Sequence, residues 1–129
     1  MIIGVDFDGT CCEHKYPKIG QPVPDATHWL KEFVKAGAKL VLWTCRCTDG
    51  PYGDTLTPAV EYLKKRGVEL WGVNKNPLQD AWSLSPKAQC DVYIDDAAFN
   101  CPLIDGKFGD RKMVNWEIVG PAVMELLPG

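Results

Sequence analysis

A chain of 129 residues is one domain's worth, residues 1–129, and long enough to bury a real core. Its net charge of −3 argues against a broadly basic protein, so no strong general nucleic-acid partner is expected, although a local basic site is compatible with it. No apolar run approaches the ~20 residues that span a bilayer, and Asp6 falls too early for a secretory signal, so a cytoplasmic address with no membrane partner is expected.

The first predicted element is the apolar strand at 2–5, which runs directly into Asp6-Phe7-Asp8-Gly9-Thr10. Residues two apart on an extended chain share a face, so Asp6 and Asp8 would crowd together and repel unless a cation sits between them. If the chain turns instead, the two acids still stand at the carboxyl end of a buried strand, where open α/β sheets bind ligands. Gly9 permits the bend, and Thr10 adds a hydroxyl. Residues 11–23, with Pro17, Gly20 and Pro22, read as a loop or short hairpin; its His14 and Lys15 could face a ligand, but solvated loop residues are the preferred assignment.

A helix should open around Pro24-Asp25, with Asp25 as its cap and Ala26, Trp29, Leu30, Phe33 and Val34 as its apolar stripe; Gly37 ends it. His28 lies off that stripe and is expected to be exposed. The run at 39–43 suits a parallel strand covered on both faces, and it ends in Thr44-Cys45-Arg46. A second helix starts between Asp54 and Pro58, buries Leu56, Ala59, Val60 and Leu63, and closes at Gly67. Lys64-Lys65-Arg66 reads as its basic C-terminal end, favourable against the helix dipole. Residues 68–73 give a third strand ending in Asn74-Lys75-Asn76-Pro77, and 78–86 a short helix or ordered loop. A fourth strand at 90–94 is capped by Asp95-Asp96, with Asp91 near its start and far from any chemical edge. The turn-rich stretch at 100–112 precedes a helical pattern at 114–127, which Gly120-Pro121 should kink or split.

Strands alternating with helices imply βαβ units, hence an α/β fold with a doubly wound, Rossmann-like parallel sheet flanked by helices. All strand C-termini then share one edge. That edge collects Asp6, Asp8, Thr44, Arg46, Lys75 or Lys87, Asp95 and Asp96. Hard carboxylate oxygens without a suitable histidine favour Mg²⁺, and the cations, hydroxyl and backbone N–H groups complement a phosphoryl group. The six cysteines, Cys11, Cys12, Cys45, Cys47, Cys90 and Cys101, lack the spacing of common zinc sites and are expected as free thiols, although the first two pairs both follow strand ends.

Asp6-Phe7-Asp8-Gly9-Thr10, Thr44, Lys87 and Asp95-Asp96 resemble the four motifs of the haloacid dehalogenase (HAD) superfamily phosphatases, in their order and context over residues 2 to 96. The resemblance implies that Asp6 is the nucleophile that forms an aspartyl-phosphate, with Asp8 as general acid and then base. Thr44 would bond a phosphoryl oxygen, and Lys87 would offset charge around Asp6; Lys75 is its rival, but Lys87 leads straight into the Asp95-Asp96 strand. Mg²⁺ would be held by Asp6, the backbone carbonyl of Asp8, and Asp95, with Asp96 in support. Gly9, Thr10, Thr44, Cys45 and Arg46 are the expected substrate contacts, Arg46 being otherwise an exposed loop residue.

No cap domain fits between these motifs. Water exclusion and selectivity must then come from loops, from a partner subunit of a homo-oligomer, or from the substrate itself. The expected function is a Mg²⁺-dependent phosphatase acting on a nucleotide, a small phosphoester or a phosphorylated macromolecule end. The alternatives are a phosphoacceptor similar to response-regulator receivers and a non-hydrolytic phosphate-binding module. The receiver pattern wants adjacent acids after the first strand and an acceptor Asp after the third, where this chain has Asn74.

Overall fold

A computed structural model describes residues 1–128. Four strands, β1 (Ile2–Val5), β2 (Lys39–Leu42), β3 (Gly72–Val73) and β4 (Val92–Ile94), form a parallel sheet in the order β3-β2-β1-β4. With its three helices, this is an α/β fold. The chain steps outward from β1 to β3 and then returns to pair β4 on the other side of β1.

The register sets the height at which each strand ends. Val5 pairs with Leu42 on one side and with Ile94 on the other, so three strands end level. Pairing continues one step further, with Trp43 N–H donating to Val5 O at 2.8 Å and Asp6 N–H to Ile94 O at 2.9 Å. Asp6, Trp43 and Asp95 therefore leave the sheet at one height, which brings their successors to a common edge.

Ile3 and Val5 of β1 and Leu40 and Leu42 of β2 are fully buried on one face of the sheet. Against this face pack α1 (Ala26–Lys35), α2 (Leu56–Lys65) and α3 (Trp116–Met124) through Leu30, Phe33, Ala59, Leu63, Trp116 and Val119. Among the described residues, the opposite face has no α-helix. Val41 there meets Ala88 and Cys90, which arrive on coil that follows a short 3-10 turn at Gln79–Ala81. The expectation of helices on both faces is corrected accordingly: glycine- and proline-free length for a crossover helix is lacking between Pro77 and Pro86, and extended chain fills the space.

Other elements also depart from the sequence reading. Asp25 precedes α1 in left-handed backbone (φ 68°), and its side chain makes no cap bond. The cap that does form is Asp54 Oδ1, which accepts the N–H groups of Leu56 and Thr57 at 3.1 and 2.9 Å. β3 is shorter than 68–73 because the chain turns sharply: a Cβ on Gly72 would stand 2.2 Å from Lys75 O. The stretch at 100–112 holds an antiparallel hairpin, β5 (Leu103–Asp105) with β6 (Lys112–Val114), whose strands are too short to show a period. That hairpin ties down the first motif, since Val114 N–H donates to Gly9 O at 2.9 Å.

α3 runs through Gly120 and Pro121 without a split, one of the two outcomes, kink or split, expected there. Packing explains this. Gly120 sits on Trp29 so closely that a Cβ would lie 2.3 Å from the indole, and this contact offsets the backbone bond that Pro121 cannot make. Gly120→Ala should therefore destabilise the fold by about 1–3 kcal/mol despite alanine's better helix propensity, read as a fall of several degrees in Tm. Among the described residues, no helix is long and apolar enough to cross a membrane.

Candidate active site

Asp6, from the end of β1, and Asp95 and Asp96, from the end of β4, each place a carboxylate oxygen within 4.8 Å of the others. Thr10 stitches the two strand ends together. Its fully buried hydroxyl donates to Asp6 Oδ2 at 3.1 Å and accepts the Asp96 N–H at 3.3 Å. Trp116 Nε1–H in turn donates to Thr10 O at 2.8 Å, so the start of α3 braces the motif from behind.

Three acids this close are electrostatically uncomfortable. Burial, a hydrogen bond with Asp96 and the charges of Asp95 and Asp96 push the Asp6 carboxyl up to about 8. Asp95 is raised as well, chiefly by burial. Among the described residues, no lysine or arginine forms an ion pair with any of the three. The cluster's one basic neighbour is His14, whose Nε2 lies 2.8 Å from Asp96 Oδ2.

Asp8 is not one of these three acids. Arg46 clasps it with two parallel bonds, Nε–H to Oδ2 at 2.9 Å and Nη2–H to Oδ1 at 2.8 Å. The guanidinium is 1% exposed, and its other N–H groups donate to the carbonyls of Pro17, Lys18 and Thr55. All five donors are used, with the rings of Phe7 and Tyr16 at 5.0 and 5.2 Å from the guanidinium carbon. The expectation that Arg46 is a substrate contact, or else an exposed loop residue, is corrected: it is a buried strut that fixes Asp8 and gathers three loops around it.

Thr44 is half-buried beside this strut. Its N–H donates to Asn74 Oδ1 at 2.7 Å and its hydroxyl oxygen accepts the Arg46 N–H at 3.2 Å, which leaves the hydroxyl proton free to donate. Asn74, in left-handed backbone at φ 53°, also donates from Nδ2 to Arg46 O at 3.4 Å. It brackets the turn after β2.

The sequence matches no protein-family model and no curated protein. Among solved structures, the conserved protein coded by a locus of Bacteroides thetaiotaomicron superposes with a TM-score of 0.78 at 31% identity, covering 99% of this chain and 93% of that one. The chain belongs to that protein's family.

In this member of the Bacteroides protein's family, several expected site residues take other roles. Lys87 Nζ stands over the Tyr93 ring at 5.6 Å and pairs with no carboxylate, while Lys75 is tied to the exposed Asp80 at 2.6 Å. Neither lysine joins the acids: Lys87 lies on the coil that leads to Ala88 and Cys90 against the helix-free face, and Lys75 lies in the turn after β3. Thr10 has its hydroxyl committed between Asp6 and Asp96, and Gly9 N–H donates to Cys12 O at 2.7 Å, so neither is free to bind substrate. Cys45, exposed in the turn after Thr44, remains available. Asp91 accepts the Ile2 N–H at 2.7 Å on the far edge of the sheet, a structural role.

All six cysteines carry free thiols. Burial pushes Cys11 well up and Cys12 up to about 11, so both are protonated and poor metal ligands; Cys11 donates its S–H to Asp6 O at 3.3 Å.

His14 is the residue that sequence reasoning assigns to solvent. The signal that finds it is Gly9, at φ 82°, where a Cβ would lie 2.2 Å from His14 Nε2 and 2.4 Å from Asp96 Oδ2. The loop closes over the motif only because Gly9 has no side chain. Gly9→Ala should separate His14 from Asp96 and cost about 1–2 kcal/mol from backbone strain alone. Thermal melting checks the cost, and the Asp96-dependent shift of the His14 ring resonances checks the separation.

Proposed function

We propose that the chain is a Mg²⁺-dependent phosphoester hydrolase of the HAD type, an α/β domain without a cap, working through an aspartyl-phosphate. The observation that carries this reading is the meeting of Asp6 with Asp95 and Asp96, oxygens within 4.8 Å and, among the described residues, no cation paired to Asp6 or Asp95. Hard oxygen donors around an Asp6 carboxyl that burial first, and then its acidic neighbours, push up to about 8 fit a divalent cation such as Mg²⁺. When bound, the cation neutralises charge so that a carboxylate can approach a phosphate dianion. The neutralisation expected of Lys87 then falls to the metal.

The chain's own groups have defined tasks in this reading. Asp6 attacks phosphorus through a carboxylate oxygen, the P–O bond to the leaving group breaks, and an acyl phosphate forms on Asp6. The resemblance gives Asp8 the proton transfers, to the leaving oxygen and later from the water that cleaves the acyl phosphate; the first needs Asp8 protonated on one oxygen, with one of its two Arg46 bonds given up. Arg46 holds Asp8 in place for both transfers. The free Thr44 hydroxyl proton, with Cys45 beside it in the turn, binds a phosphoryl oxygen. The receiver-like alternative is disfavoured by Asn74, which replaces the acceptor acid after β3 and spends its amide on Thr44 and Arg46.

A panel of phosphorylated metabolites, nucleotides and phosphorylated oligonucleotides, assayed with and without Mg²⁺, tests the proposal. Phosphate release that EDTA stops and Mg²⁺ restores is the expected result. A folded protein inactive across the panel in Mg²⁺ would instead be a binding module.

A further inference from the structure

His14 touches the acid cluster but has no task in the reaction proposed above. Its Nε2 lies 2.8 Å from Asp96 Oδ2, and the pair is largely out of solvent, with 15% of the imidazole and 12% of the carboxylate exposed. Facing a carboxylate oxygen, Nε2 is the nitrogen that carries the proton. The imidazole contributes no atom to the group of oxygens that lie within 4.8 Å of one another. It therefore stands behind Asp96, not among the donors that face an ion.

The backbone that carries His14 is braced. Val23 N–H donates to Cys11 O at 3.0 Å and Glu13 N–H to Gln21 O at 2.8 Å, which closes the loop just before residue 14. Glu13 Oε1 accepts the Phe108 N–H at 3.1 Å and ties the same loop to the turn between β5 and β6. Each acid of the cluster is oriented by a donor on one oxygen. The Thr10 hydroxyl holds Asp6 Oδ2 at 3.1 Å, Ala97 N–H holds Asp95 Oδ1 at 2.8 Å, and His14 holds Asp96 Oδ2. The first two donors are local, four and two residues from their acids, whereas His14 reaches across 82. Three carboxylates this close repel, and an untethered Asp96 side chain would relieve the repulsion by swinging away.

Resting on the hydrolase reading, we propose that His14 is a positioning residue for the cation site: it fixes the Asp96 carboxylate beside Asp6 and Asp95, so that the three acids are set before a divalent ion arrives. A carboxylate already held in place loses less freedom when the ion binds. The bond is charge-assisted and little exposed, which makes it strong enough to oppose the repulsion. Partners that hold a metal ligand from behind are typically worth about 10–100-fold in metal affinity.

The test is ion binding by the intact chain without substrate, with Mg²⁺ read by calorimetry and Mn²⁺ by loss of the free-ion EPR signal. His14→Ala should weaken both ions about tenfold or more. His14→Gln, whose amide can set an N–H near the place of Nε2, should recover most of that loss. In the wild type, the His14 ring resonances should shift in step with Mg²⁺ occupancy. If His14→Ala does not fold, His14→Asn, with an amide too short to reach Asp96, takes its place. A His14 that merely pinned its loop would lower Tm in EDTA and leave ion affinity unaltered. That result, or a Gln variant that binds as weakly as the Ala variant, overturns the proposal. Ion binding that depends on His14, in a protein that hydrolyses no phosphoester, sinks the hydrolase and keeps the positioning role. Mg²⁺-dependent turnover with an ion affinity indifferent to residue 14 does the reverse, and a wild type that binds neither ion overturns both.

Discussion

Asp6→Asn is expected to lower Mg²⁺-dependent phosphoester turnover by about 10⁴-fold or more and, at pH 8 in EDTA, to raise Tm by several degrees. The first effect comes from the proposed mechanism, because an amide cannot form the acyl phosphate and nucleophile deletions cost that much. The second comes from electrostatics. The Asp6 carboxyl stands at about 8 in the fold against 3.8 as the reference value. A group raised on folding stabilises the protein fully below its unfolded value and loses that contribution as pH rises through its folded value. Each unit of displacement corresponds to about 1.4 kcal/mol, so the metal-free protein should lose several kcal/mol between about pH 4 and pH 8. Asparagine keeps the shape, carries no charge beside Asp95 and Asp96, and can donate a hydrogen bond to Asp96.

Melting curves across that pH range, in EDTA, read this directly. The wild type should fall in stability as pH rises, Asp6→Asn should fall much less, and Mg²⁺ should recover the wild type by binding the native state. Parallel pH profiles for the two proteins would mean that the three acids do not strain the fold. A gain in stability accompanied by lost turnover is the usual sign of a site built at a cost to stability.

Arg46→Lys should destabilise the protein by about 3–5 kcal/mol, although it keeps the charge. Arginine's planar fork meets five acceptors here, two on Asp8 and one each on Pro17, Lys18 and Thr55, with two of those bonds going through Nη2 and two through Nη1. An ammonium has three donors radiating from one atom and cannot reach acceptors spread over three loops. The abandoned carbonyls and the half-paired Asp8 carboxylate are left with little solvent. The loss should appear as a fall in Tm of roughly ten degrees or more.

Turnover should fall too, by about 10²-fold at a temperature where the variant remains folded, because an acid–base group displaced by an ångström works poorly. A double-mutant cycle of Arg46→Lys with Asp8→Asn separates stability from positioning. The two substitutions should be strongly non-additive in both Tm and kcat. Additive effects would mean that the clasp is incidental to Asp8.

Much of this architecture can be read without coordinates. The apolar runs at 2–5 and 39–43, each broken by polar groups, locate β1, β2 and their chemical ends, because a two-sided buried strand must be apolar throughout and must stop where it is not. The helical stripes locate α1 and α2 for the same kind of reason. What the pattern misjudged was a cap at Asp25, a split as one of two outcomes at Gly120-Pro121, a strand over all of 68–73 and helices on both faces, and it read 100–112 only as turn-rich chain. Where α3 stays whole, a contact remote in sequence outweighs the local preference, as Trp29 against Gly120 shows.

The division at the site is similar. Alternation of strands with helices already assigned Asp6, Asp95 and Asp96 to one edge of a parallel sheet, while the strand order and the level ends that bring them close belong to the tertiary structure. Only the tertiary structure decided where loop side chains turn. Asp8 finds Arg46 across 38 positions and His14 finds Asp96 across 82, while Lys87 is carried to Tyr93. Backbone periodicity is a short-range property that tells which residues end a strand. The direction of a polar side chain beyond that end is set by whichever charge or carbonyl the rest of the fold brings within about 3 Å of it.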